Sequence, residues 1–164
     1  MADFEFKDNS AAVKGALREA AIAFLNEVGG EVASQTKRNS RRKTGKTAGS
    51  WTYQVDESGY KVTIGSGEEN AVWEELGTGE YAVNGDGRKG YWVFVEGQSK
   101  GGGGGGGKTL DLASAKRAMA MLRRKGLNAY YTKGKRPNKA LQQAGNSVAP
   151  LAQAAAEKAF GRIN

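Results

Sequence analysis

The sequence predicts an α+β protein, with a long N-terminal helix and a C-terminal helix packed on a small, mainly antiparallel sheet that carries an inserted α/β unit. Three features point there. Val13, Leu17, Ala21, Phe24, Val28 and Val32 recur at three- and four-residue steps, which makes one apolar stripe on an amphipathic helix. Two alternating runs then flank Asp56-Glu57-Ser58-Gly59, the pattern of a β-hairpin. A second helical pattern, Leu141, Ala144, Val148, Leu151, Ala155 and Phe160, closes the chain.

The first helix is expected to start at Ala11, capped by Ser10, with Asp8 suited to its positive end. It should run to about Asn39. Gly29-Gly30 is its weak point, because each glycine costs about 1 kcal/mol against alanine in a helix interior. The segment from Arg41 to Ser50 reads as an exposed, mobile basic arm. In the hairpin, Trp51, Tyr53 and Val55 share one face of the first strand, and Tyr60, Val62 and Ile64 share one face of the second.

The next stretch runs from Glu69 to Tyr81. Its apolar residues Ala71, Val72, Trp73 and Leu76 are broken by Glu74 and Glu75, and it stops at Gly77-Thr78-Gly79. Such a pattern fits a strand or a single helical turn ending in a glycine loop. Beyond a glycine- and charge-rich loop, Tyr91 to Val95 is the most strand-like run in the chain, rich in aromatic and β-branched residues. Gly101 to Gly107 is a tether with a reach of roughly 15 Å. A helix capped by Thr109 and stopped by Gly126 should follow, then a strand over Leu127 to Thr132. These pieces define a glycine-tethered α/β insertion at 97–133 within a single 1–164 domain. Its crossover would be right-handed if its strands are parallel. In the closing helix, Pro150 predicts a kink or restart near Ala149.

Composition narrows the chemistry. The chain has neither cysteine nor histidine, which removes disulfides, thiolate zinc sites, Cys nucleophiles and any triad built on imidazole. No loop has the ligand spacing of a Mg²⁺ or Ca²⁺ site, and no cofactor is expected. Glu74 and Glu75 on a strand would point to opposite faces and could not flank one substrate bond. Gly45-Lys46-Thr47 resembles part of a nucleotide-binding loop, but Ser40 stands where that pattern needs glycine, and no apolar strand precedes it. No enzyme is indicated.

Net charge is +8 and clustered. One cluster is Lys37, Arg38, Arg41, Arg42, Lys43 and Lys46, and the other spans Arg123 to Lys139. Such clusters suit nucleic acid or an acidic protein. No apolar run follows a basic N-terminus, and none approaches the roughly 18 residues of a membrane span. The chain is therefore expected in a cytoplasm, or in something assembled there, and away from membranes.

The order of these pieces resembles the head–tail joining proteins of tailed bacteriophages, the neck or tail-completion family that includes minor tail proteins. The likeness lies in Arg42 to Trp51, where the family has a Thr-Gly-basic/apolar-x-x-Ser pattern after its first helix. It continues in Ala71-Val72-Trp73-Glu74-Glu75-Leu76-Gly77-Thr78-Gly79, which is similar to the family's apolar-x-x-Glu-x-Gly-Thr signature, and in Pro137 to Leu141 before the last helix. This chain has Lys139-Ala140-Leu141 where relatives place a bulky aromatic and a proline. The resemblance implies a virion subunit, assembled in a bacterial host cytoplasm, that forms a ring at the top of a tail tube. Such rings are often six-fold. The ring would stop tube growth or join the tube to the head connector, and DNA would pass through its lumen. A tail-like bacteriocin particle is an equivalent setting.

In that reading the partners are further copies of the chain, the tube or sheath protein, and the connector or other neck proteins. Contacts are expected from Lys37, Arg38, Arg41, Arg42, Lys43 and Lys46, and from Trp73, Glu74, Glu75, Gly77, Thr78 and Gly79. Arg88, Lys89, Tyr91 and Trp92 complete the set. The alternative is a basic nucleic-acid-binding module, for which the cationic clusters and Trp51, Tyr53, Tyr130 and Tyr131 are the ingredients.

Overall fold

A computed structural model describes residues 8–42, 45–97 and 109–161. The chain divides into two compact units, Met1–Glu68 with Ala140–Asn164, and Glu69–Lys139. Long N- and C-terminal helices combine with antiparallel strands, so the fold is α+β. The strands are split between two two-stranded sheets, one in each unit.

In the first unit, helix α1 (Ser10–Asn39) is continuous through both central glycines. Asn9 rather than Ser10 occupies the cap position, and Asp8 Oδ1 accepts from the Ser10 N–H at 2.8 Å. The helix survives Gly29 because of what packs there. A β-carbon at that position would lie 2.6 Å from Val62 Cγ2 and 2.8 Å from Tyr53 Cδ2. The missing side chain is the space into which the hairpin presses.

That hairpin pairs β1 (Trp51–Asp56) with β2 (Lys61–Ser66), Tyr53 opposite Ile64 and Val55 opposite Val62. The apolar residues therefore share one face, as alternation predicts. Tyr60 falls in the turn, with φ of 48°, instead of starting the second strand. Asp56 Oδ1 organises the turn by accepting from the Ser58 and Gly59 N–H groups.

The core of this unit gathers Val32, Ala144 and Val148, flanked by Val28, Ile64 and Leu141. Beside it the polar groups are matched. Thr36, fully buried, donates its hydroxyl to Val32 O at 2.7 Å, Ser40 Oγ donates to Thr36 O at 2.7 Å, and buried Trp51 Nε1 donates to Ser40 Oγ at 3.0 Å. The N-terminal third of α1 is left out of this packing, so Val13 and Leu17 of the apolar stripe are exposed.

Helix α5 (Ala140–Phe160) carries Pro150 in its interior without interruption, so the helix does not restart near Ala149. Ala144 and Val148 before the proline and Ala155 after it are buried, so tertiary contacts on both sides hold the helical path. Asn146, whose carbonyl loses its partner to the proline, is exposed and open to water. Phe160 reaches Phe24 of α1, ring centroids 6.1 Å apart, whereas Leu151 is exposed.

In the second unit, α3 (Glu69–Leu76) leads through a single 3-10 turn (Gly79–Tyr81) to β3 (Trp92–Val95). Helix α4 (Leu112–Arg124) follows, then β4 (Ala129–Thr132). Strands β3 and β4 are antiparallel, Trp92 opposite Thr132 and Val95 opposite Ala129, so the handedness rule for parallel crossovers does not apply. Tyr91 adds a bridge to Leu110. Asp111, not Thr109, caps α4 by accepting from Ser114 N–H at 2.9 Å. The glycine tether lies outside the described residues.

Candidate functional site

The stretch that ends in Gly77-Thr78-Gly79 becomes a clasp. Glu69–Leu76 is an eight-residue helix instead of a strand or single turn, with Ala71 buried beneath it. Gly77, at φ of 73°, ends the helix in the left-handed conformation and donates to Trp73 O at 3.0 Å. The chain then runs against 133–138. Thr78 N–H donates to Lys135 O and Glu80 N–H to Lys133 O, each at 2.9 Å. Lys135 N–H returns to Thr78 Oγ1 at 3.0 Å, and Asn138 N–H donates to Glu74 O at 2.6 Å.

Gly79 is required here twice over. Its φ is 61°, and a β-carbon would run into Lys133 O and lie 2.7 Å from the Trp92 ring. The two acids flanking the loop fix its partner segment. Glu74 Oε1 pairs with Lys135 Nζ, and Glu80 Oε2 pairs with Lys133 Nζ at 3.2 Å. Glu80 Oε1 also accepts from the Gly90 N–H at 3.1 Å. That amide first, and the Lys133 ammonium second, hold the Glu80 carboxyl below the usual glutamate value. The Lys133 ammonium is raised in turn, by Glu80 first and then by Tyr81.

Cations lie over the aromatic rings of this unit. Arg88 stands 5.1 Å over Trp92, Arg136 is 4.8 Å and Lys133 5.3 Å from Tyr81, and Tyr91 packs edge-on against Tyr131. Tyr91 and Trp92 are half-buried, and Lys89 is exposed beside them. Outward from the clasp, Val72, Trp73 and Leu76 fall on one face of α3, 52%, 37% and 38% exposed. Val83, 51% exposed, joins them, because its N–H donates to Leu76 O at 2.9 Å. Four partly exposed apolar side chains therefore lie close together beside the clasp.

The other basic cluster belongs to the first unit. Lys37 and Arg38 end α1, Arg41 and Arg42 are exposed just after it, and Lys43 lies outside the described residues. The expected mobile arm is in part ordered. Lys46–Gly49 forms a helical turn, α2, anchored by buried Ala48, and Lys46 pairs with Glu68 at 2.9 Å. Arg38 pairs with Glu31 at 2.6 Å.

The structure thus brings Trp73, Glu74, Glu75, Gly77, Thr78 and Gly79 together with Arg88, Tyr91 and Trp92 in one unit. Tyr81, Glu80, Lys133 and Lys135 were missed as site residues. The alternation Lys133-Gly134-Lys135 before Pro137, opposite Gly-Thr-Gly, is the only local signal that could have found them. Among the described residues no group of three or more His, Cys, Asp or Glu side chains could hold a metal ion, and no helix is long and apolar enough to cross a membrane.

Residues 4–97 match the family model described as "Bacteriophage HK97-gp10, putative tail-component". The chain belongs to the HK97-gp10-like family. It is thus a bacteriophage tail component, a structural protein of the virion. The matched span runs through α1, the hairpin, α3 and β3, includes the Glu-x-Gly-Thr side of the clasp but not its partner segment 133–138, and ends ahead of the glycine run at Gly101. No curated protein and no solved structure matches the chain.

Proposed function

We propose that this HK97-gp10-like protein forms a ring, six-fold in the simplest case, at the neck of a phage or phage-tail-like particle. There it terminates the tail tube or joins it to the head connector. The observation that carries the reading is the exposed apolar patch of Val72, Trp73, Leu76 and Val83, seated on the clasp of a tail-component chain. Leaving such residues in water is unfavourable by about 25 cal/mol per Å² of apolar surface, which subunit contact would recover.

The chain acts by shape and charge, without catalysis, and its whole length serves as one tail-completion domain with 97–133 as an inserted part. The clasp residues Glu74, Gly77, Thr78 and Gly79 hold the patch in place, and Glu75, Arg88, Lys89, Tyr91 and Trp92 border the contact. In the first unit, Lys37, Arg41, Arg42 and Lys43 meet acidic groups of a neighbouring copy, the tube or sheath protein, or the connector. Arg38 and Lys46, already paired within the chain, stiffen that edge. A heterologous contact repeated around an axis closes a ring and leaves a lumen for DNA. Assembly takes place in the host cytoplasm.

The test is the mass of the purified protein across concentration, compared with Leu76→Asp, together with incorporation of each into particles. Wild-type protein should reach a discrete multiple of 17.4 kDa, six copies in the simplest case. The variant should stay monomeric with unchanged helix content and fail to enter tails. Wild-type protein that remains monomeric, with a variant that still completes tails, would overturn the reading.

A further inference from the structure

The cations are not spread evenly along the chain. Glu69–Lys139 holds thirteen Lys and Arg against seven Asp and Glu, so six of the eight net positive charges fall in the second unit. Several are absorbed by the clasp, but those of α4 are not. Ala115 is buried, and Ala118, Met119 and Leu122 are half-buried on the inner side of this helix. The opposite side presents Lys116, Arg117, Arg123 and Arg124, all exposed, with Lys125 at its end. No acid occurs within the helix, and Asp111 is engaged as its cap.

Among the described residues, none of Lys116, Arg117, Arg124 and Lys125 makes an ion pair. Arg123 is held by Ala129 O at 2.9 Å and lies over Tyr130. The helix dipole favours cations in the last turn, which accounts for Arg123 and Arg124. It does not account for Lys116 and Arg117, one to two turns further back.

We infer that this face of α4 is a docking surface for the phosphate backbone of duplex DNA. At 100° per residue, Lys116, Arg117, Arg123 and Arg124 surround Ala113 and Ala120, two small exposed residues that let a bulky polyanion approach closely. The cations span about 12 Å along the axis, over which the two strands of a duplex together carry roughly seven phosphates. An interface with an acidic protein would place apolar anchors at its centre, ringed by charge. Here the centre is alanine, and the exposed apolar residues Leu112 and Met121 sit at its two edges, so the attraction is dominated by charge. The inference rests on the tail-component reading for the source of the duplex, and it gives the DNA passing the ring a specific protein surface.

Anisotropy of a labelled 25-base-pair duplex, titrated with full-length protein at several salt concentrations, tests it. One variant replaces Lys116, Arg117, Arg124 and Lys125 with alanine. A control removes the same charge from the first unit, at Lys14, Arg18, Lys61 and Lys158. Each lost phosphate contact lowers the slope of log K against log salt by about 0.9. The α4 variant should therefore lose about 3 to 4 in slope and bind at least about 100-fold more weakly at 0.1 M salt, while the control stays close to wild type. Equal losses in both variants would reduce the effect to net charge and overturn the assignment. So would an unchanged α4 variant, no duplex binding by wild type, or displacement of the duplex by polyglutamate as readily as by unlabelled duplex. Solution mass, read on the same samples, separates failure of this inference from failure of the ring.

Discussion

Replacing the glycines of α1 one at a time separates helix propensity from tertiary packing in a single element. Alanine is better than glycine in a helix interior by about 1 kcal/mol. At Gly15, where nothing lies within 4 Å of an added β-carbon, Gly15→Ala should stabilise by up to about that amount. At Gly30 the nearest atom, Tyr53 Cε1, is 3.6 Å away, an ordinary contact, so Gly30→Ala should also be neutral to stabilising. Gly29 is different. The new methyl would sit 2.6 Å from Val62 Cγ2, 2.8 Å from Tyr53 Cδ2 and 3.2 Å from Tyr53 Cγ. A stiff β-branched side chain and the base of a ring cannot swing aside, and overpacking of this kind costs about 1–3 kcal/mol. The net effect of Gly29→Ala is a loss of about 0–2 kcal/mol, leaving it about 1–3 kcal/mol below Gly15→Ala. Urea unfolding followed by far-UV circular dichroism reads this gap directly. If the Gly29 variant is as stable as the Gly15 variant, the close hairpin–helix approach is not what keeps glycine there.

Gly79→Ala forces alanine into the left-handed region, at about 1–2 kcal/mol, and against Lys133 O, so it should open the clasp. Hydrogen exchange would then speed up at Thr78, Glu80 and Lys135 while the amides around Thr36 and Trp51 stay protected. Trp51→Phe removes the indole donor to Ser40 Oγ and part of a buried ring, and should lower the free energy of unfolding by about 1–3 kcal/mol in the same urea assay. The clasp should also respond to pH. Glu80 has a lowered value in the folded chain, so its contribution is present above the ordinary 4.5 and is lost as pH falls through the lowered value. Lys133 is raised, so its contribution is complete below 10.5 and is lost as pH rises through the raised value. The Gly90 amide chemical shift should titrate with a midpoint below 4.5, and Glu80→Gln should abolish that transition.

Much of the fold was legible because local chemistry and tertiary demand agree. The C-terminal part of the α1 stripe and the hairpin alternation satisfy one face of a core, the aromatic β-branched run at 92–95 forms a strand, and periodicity and composition report both directly. Where the two conflict, the sequence misled. Pro150 argues for a break, yet buried residues on both sides keep α5 a single helix, and the carbonyl that loses its partner belongs to an exposed residue. Gly29-Gly30 argues for weakness, yet Gly29 is where Val62 and Tyr53 of the hairpin press closely against α1. Asp111 displaced Thr109 as a cap because its carboxylate stands at the reach of the Ser114 amide. At the site, Gly-Thr-Gly announced a turn but not its partner, since residues 133–138 lie more than fifty positions away and pair through backbone atoms.

By itself the sequence determined the class of fold, the want of imidazole and thiol chemistry, the cationic balance, and the match over residues 4–97 that places the chain among phage tail components. Those properties reside in residue identity and spacing. Tertiary structure alone decided that the glutamates beside the signature brace a clasp, that Val72, Trp73, Leu76 and Val83 face outward, and that, among the described residues, Lys116, Arg117 and Arg124 of α4 are exposed without an ion pair. Which side of a short helix meets solvent, and which distant backbone completes a loop, depends on the packing of the whole unit, and no local pattern encodes it.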